Sequence, residues 1–201
     1  MKIHKIENFL VKKQNWIINK LQYLEKNTPK KIRRDFSLGE KMLFLNEEYI
    51  IKHIPNDRKR LSIKVEKKSF EIYHPEGYNF NLNSKAVKNK IIRWYKDAAD
   101  EIIKERVSIY KARLNVEPLG ITIRSYKSRW GACRENGQIT FNWKLIQAPI
   151  YIIDYVVVHE LCHLVYLNHS KMYWKLVESI FPDYRTYKNW LKKKILHLRF
   201  E

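Results

Sequence analysis

Glycine and proline are scarce in this chain, 5 and 6 of 201 residues, which disfavours a fold of many tight turns and leaves room for long helices. Cysteine is scarcer still: Cys133 and Cys162 are too few for a disulfide framework. No apolar run reaches the length of a membrane span. The opening "MKIHKIENFLVKK" mixes charge into its apolar positions, unlike a secretory signal. Together these absences predict a soluble protein of a reducing compartment, the bacterial cytoplasm. Acidic residues are also short, 21 against 40 Lys and Arg, so the formal net charge is +19 and the pI about 9.8. The excess has two readings. A basic surface attracts phosphate polyanions and would bring the protein to nucleic acid; equally, lysines from an AT-biased genome can stand solvated and idle.

What is present suits a globular chain with a sizeable core, since 45% of residues are hydrophobic and 13% aromatic. Ile3, Ile6, Phe9, Leu10, Ile17, Leu21 and Leu24 recur near the helical period, predicting an amphipathic helix over 3–24. The basic segment "EKNTPKKIRRD", with Pro29, then reads as an exposed connection. From Phe36 to His74, short runs such as "EYIIKHI" and "SFEIYH" predict small antiparallel strands. Ser84 is placed to cap a long helix with apolar positions at Val87, Ile91, Trp94, Tyr95, Ala98, Ile102, Val107 and Tyr110. "LGITIRSYKSRWGACRENGQITFNWKL" reads as strand, irregular loop, a turn at Asn136 and Gly137, and strand. After Pro149 a helix is expected through Ile152–Leu167, followed by helices at "KMYWKLVESIF" and "DYRTYKNWLKKKILHLRF".

"HELCHLVYLNH", His159 to His169, carries the chemistry. Residues four apart on a helix share a face, so His159 and His163 can aim ring nitrogens at one ion. Glu160 lies about 100° around the helix, placed to reach a water activated by that ion rather than to ligate it. His169 is the natural third ligand, provided the chain turns after the helix. Asn168, tolerant of the left-handed conformation, is expected to make that turn. The signature occurs by chance, and the alternative is a helix whose histidines are ordinary core or surface residues. The preceding "IIDYVVV" favours metal, because burying two histidines and a glutamate without an ion is costly.

"SRWGAC" (128–133), "GQITFNWKL" (137–145), "APIYIIDYVVVHELCHL" (148–164) and "NHSKMYW" (168–174), in that order, resemble the YgjP-like zinc metallopeptidases, minimal zincins related in outline to WLM and SprT-like proteases. The first half, around "FSLGEKMLFLNEEYIIKHI", matches more loosely. The resemblance implies an α+β, zincin-like fold with a small β-rich N-terminal lobe and a central H-E-x-x-H helix. Residues 1–83 would be the N-terminal helix and lobe, and residues 84–201 the catalytic domain. It further implies Zn2+ held by His159, His163 and His169, Glu160 as general base, and a peptide or protein substrate pairing with the strand Ile139–Asn142. The family usually begins with a β-hairpin ahead of the first helix, whereas this chain starts almost at the helix, so an incomplete or differently closed lobe is expected.

Arg124, Arg129, Trp130 and Asn142 are candidate substrate-binding residues, with structural packing of the tryptophan an equal alternative. Cys162 is expected to be a buried, inert thiol. Three functions compete: a zinc peptidase, a metal-dependent nucleoside triphosphate hydrolase, and a DNA-associated protein with a zinc site. The absence of a Gly-rich phosphate loop weakens the second, and Glu160 has no purpose in the third.

Overall fold

The computed structural model describes residues 3–27, 36–57, 60–81 and 83–194, with the backbone alone at 24 and 194. The expected connection around Pro29 and the C-terminal stretch containing His197 lie outside the described residues. Two compact units result, residues 1–33 with 201, and residues 34–200. The first consists of α1 (Ile3–Asn27), one continuous helix. The remaining elements belong to the second unit.

Four strands form the first sheet: β1 (Lys41–Phe44), β2 (Glu47–Pro55), β3 (Ser62–Glu66) and β4 (Ser69–His74), in the order β1-β2-β4-β3. Two hairpins build it, turning at Leu45 and Asn46 (φ 51° and 66°) and at Lys67 and Lys68 (φ 46° and 57°), the positive pairs that match strand twist. The sheet is not wholly antiparallel as expected, because β2 and β4 pair in parallel. Burial explains the arrangement. Ser69, Phe70, Ile72 and His74 of β4 are buried, so this strand takes an inner position, while the more polar β3 is left at the edge.

Helix α2 (Ser84–Leu114) crosses this sheet. Ser84 is its first helical residue and not its cap; Asn83 stands at the cap and gives no side-chain hydrogen bond to the helix, its amide nitrogen donating instead to the Asn79 carbonyl at 2.8 Å. The buried stripe is Val87, Ile91, Tyr95, Ala99, Ile103, Val107 and Tyr110. Ala99 and Ile103 take the places expected of Ala98 and Ile102, which are only half-buried. Each four-residue step overshoots a full turn by about 40°, so the stripe winds round the helix. Its early part meets the sheet, where Tyr95 stacks on Phe70 and donates to the Leu43 carbonyl at 2.7 Å. Its later part reaches α3, below.

The second sheet holds β5 (Gly120–Arg124), β6 (Gly131–Cys133) and β7 (Gln138–Asn142), ordered β5-β7-β6. β6 lies inside the stretch expected to be irregular. The β6–β7 hairpin turns at Gly137, φ +81°, as the Asn-Gly pair predicts. A 3-10 turn, Trp143–Gln147, leads to α3 (Ile150–Cys162), α4 (Lys171–Ile180) and α5 (Tyr184–Lys194). Ile152 through Val158 are all buried, which makes α3 the central helix that "IIDYVVV" predicts. α3 ends at Cys162, short of the expected Leu167.

Candidate metal centre

Because α3 stops early, His159 and Glu160 sit in its last turn and His163 caps it, with φ −70° and ψ −16°. The turn that follows is held by Leu164 donating to the Leu161 carbonyl at 3.0 Å and Tyr166 to that of Cys162 at 3.0 Å. Asn168 is not among the described residues with positive φ, so the reversal is made without the left-handed residue expected there. Ser170 then caps α4 by accepting from the Tyr173 amide, and Tyr173 donates its hydroxyl to the His159 carbonyl at 2.9 Å. That carbonyl lies in the last turn of α3, where backbone acceptors lack helical partners. α4 is thereby tied to the end of α3 that carries His159 and His163.

The reversal places His169 Nε2 3.2 Å from His159 Nε2, and one ligand atom from each of His159, His163 and His169 falls within 4.8 Å of the others. His163 Nδ1 lies 3.0 Å from the Tyr166 carbonyl, which accepts its proton and leaves Nε2 with a free lone pair. Burial pushes the His159 pKa down to about 3, with His163, His169 and Lys188 adding to the shift. His163 and His169 are also lowered, chiefly by burial. Three uncharged imidazoles therefore converge. One edge of the cluster matches zinc, since a tetrahedron with Zn–N arms of 2.0–2.1 Å has an edge of about 3.3 Å against the 3.2 Å between His159 and His169, and the three ligand atoms all lie within 4.8 Å of one another. His159 Nδ1 is buried without a hydrogen-bond partner, a further sign of a site shaped around something other than protein hydrogen bonds.

Glu160 is 5% exposed, and burial raises its pKa to about 8 against the opposing pull of Arg129. Its carboxyl lies against β6, where a Cβ built on Gly131 would stand 2.5 Å from Oε1. Beside Glu160 and His159 opens a cavity of about 330 Å3, walled by Trp130, Tyr155, Val156 and Leu191 and lined also by Arg129, Lys188 and Lys192.

Of the four candidate substrate residues, Arg129 and Trp130 line this cavity. Arg124 is exposed at the end of β5, away from the cavity lining. Asn142 is buried and its amide is committed: Nδ2 donates to the Tyr126 and Arg129 carbonyls, both at 3.0 Å, and Oδ1 accepts from the Lys144 amide at 3.2 Å. It holds the loop that carries Arg129. The strand Ile139–Asn142 cannot pair with a peptide as expected, since β7 is flanked by β5 and β6; the free edge beside Glu160 is β6. Burial lifts the Cys162 thiol to about 12.

Sequence reasoning placed Tyr173 under the site as packing for the following helix but missed Gly131, Lys188, Lys192 and the Arg106–Asp154 pair. A glycine between apolar strand residues is a usable sign of close approach. The others had none, because their place depends on how distant elements pack.

No curated protein matches the chain. Among solved structures, the metallopeptidase zymogen abylysin of Pyrococcus abyssi aligns with 46% of this chain and 93% of its own at 22% identity, with a TM-score of 0.43. The decisive likeness is one of sequence. It runs over residues 1–194, spanning both compact units and every histidine of the cluster, and by it the chain belongs to the YgjP-like metallopeptidase family.

Proposed function

We propose that this metal-dependent peptidase uses zinc, held by His159, His163 and His169, with Glu160 as general base. The observation that carries the reading is the 3.2 Å approach of the His159 and His169 imidazole nitrogens, with the buried Glu160 carboxyl lining the same cavity as His159. Zinc, when bound, polarises a substrate carbonyl and lowers the pKa of water from about 15.7 toward 7. Glu160 takes a proton from water and returns it to the leaving amine, a task favoured by a carboxyl whose proton affinity burial has raised. The free edge of β6, Gly131–Cys133, offers backbone groups to an extended peptide next to Glu160.

The Glu160→Gln variant should keep zinc, measured by elemental analysis, while hydrolysis of peptides falls by about 10²–10⁴-fold. His163→Ala should lose the zinc. Undiminished hydrolysis in Glu160→Gln would remove the glutamate from the mechanism.

The net charge of +19 favours a second property, attachment to nucleic acid. Binding of duplex DNA that weakens steeply with salt would support it. Cys133 and Cys162 are free thiols, which supports a cytoplasmic location.

A further inference from the structure

The cavity beside the histidine cluster is out of charge balance. Arg129, Lys188 and Lys192 line it, and Glu160 is the one carboxylate among its lining residues. A divalent ion on the histidines would widen the imbalance. Among the described residues none of the three cations forms a salt bridge with a carboxylate, and Arg129 alone feels the Coulombic pull of Glu160. Two of them rest on aromatic rings: Arg129 stands over Tyr126 at 5.6 Å and Lys188 over Trp174 at 4.5 Å. Lys188 and Lys192 are one turn apart on α5, so both point from one face of that helix, with Leu191 beside them as a buried wall. Lys188 is close enough to act on the charge of both His159 and His169.

We infer that this cavity is a subsite for a substrate carboxylate, so that the enzyme selects peptides bearing an acidic group next to the bond it cuts. The inference rests on the peptidase reading and deepens it. At about 330 Å3 the cavity is the size of one or two amino-acid side chains, small for a nucleic acid strand and suited to a single anionic group with an aliphatic or aromatic neighbour on Trp130, Tyr155 and Leu191. The three cations are themselves exposed, so they can meet an anion entering from solvent, while Trp130 and Leu191 wall the cavity beside them. The carboxylate can come from an aspartate or glutamate side chain or from the C-terminus of the peptide.

The test uses the zinc-loaded protein and pairs of otherwise identical peptides: internal Asp against Asn, and free C-terminal acid against amide. An advantage in kcat/KM of about tenfold or more for one acidic member is expected, and which pair shows it identifies the source of the carboxylate. Lys188→Gln with Lys192→Gln should collapse that ratio, and Lys188→Glu should turn the preference toward Lys-containing peptides. A separate arm measures binding of the same peptides to the metal-free Glu160→Gln protein by Trp fluorescence, where the acidic member should bind more tightly and lose its advantage in the lysine variants. Equal cleavage and equal binding of both members of each pair overturn the subsite. Absence of cleavage with the binding difference intact would count against the peptidase reading alone. A single-stranded oligonucleotide that displaces neither peptide more readily than free glutamate does is also expected; displacement at far lower concentration, with no acid preference, would overturn the proposal.

Discussion

Gly131 sets how closely β6 can approach α3. A Cβ there would stand 2.5, 2.6 and 2.7 Å from Oε1, Cγ and Cδ of Glu160, distances that force the carboxyl aside. Gly131→Ala should therefore keep its zinc and its far-UV circular dichroism while peptide hydrolysis drops by about 100-fold, the cost of displacing a reacting group by an ångström. Wild-type turnover in that variant would show that Glu160 need not hold its observed position. The same crowding explains why the carboxyl is so well shielded: a backbone strand, not a side chain, covers it.

At the scale of elements, the seat of the site is α3, and α2 holds it. Arg106 of α2 grips Asp154 of α3 with two hydrogen bonds, Nε to Oδ1 and Nη2 to Oδ2, the latter at 2.9 Å. Asp154 is 6% exposed, so removing the guanidinium leaves a carboxylate stranded in the core. Arg106→Met should cost about 2–3 kcal/mol, toward the low end for a broken buried pair because part of the arginine reaches water. A urea titration reads it as a lowered midpoint at unchanged slope. A midpoint that stays put would mean that water reaches Asp154 once the arginine is gone.

Elements also show what the sequence made legible. The histidines and Glu160 were visible because their relation is local: four residues apart on a helix fixes a shared face whatever else the chain does. The Asn136–Gly137 turn was legible for the same reason. The parallel pairing of β2 with β4 was not, since the alternation in each strand is satisfied by either neighbour and only relative burial chooses between them. Nor was the early end of α3, where the helical pattern of apolar residues runs on past Cys162 but the chain turns to bring His169 home. Lys188 and Lys192 looked like ordinary solvated lysines, and only the packing of α5 turns them toward the histidines.

For the whole molecule, a metal held as proposed by His159, His163 and His169 would join the end of α3 to the loop before α4 and so link folding to metal supply. Zinc at 100 times its dissociation constant should stabilise the protein by about 2.7 kcal/mol, a rise of roughly 5–10 °C in Tm. Scanning calorimetry against zinc concentration checks this, and the His163→Ala protein should give a flat line. A wild-type Tm indifferent to zinc would exclude the cluster as a zinc site.

The position of β4 between β2 and β3 also governs the order in which the chain assembles. The β3–β4 hairpin, turned by Lys67 and Lys68, needs only neighbouring residues and belongs to the microsecond class of events. The parallel seam with β2 closes a longer loop and follows it. During synthesis this sheet emerges before α2, with Phe70 packed only against Tyr49 of β2 until Trp94 and Tyr95 arrive to cover it. The histidines leave the ribosome later still, so an ion bound as proposed would reach a chain whose first sheet has already emerged in full.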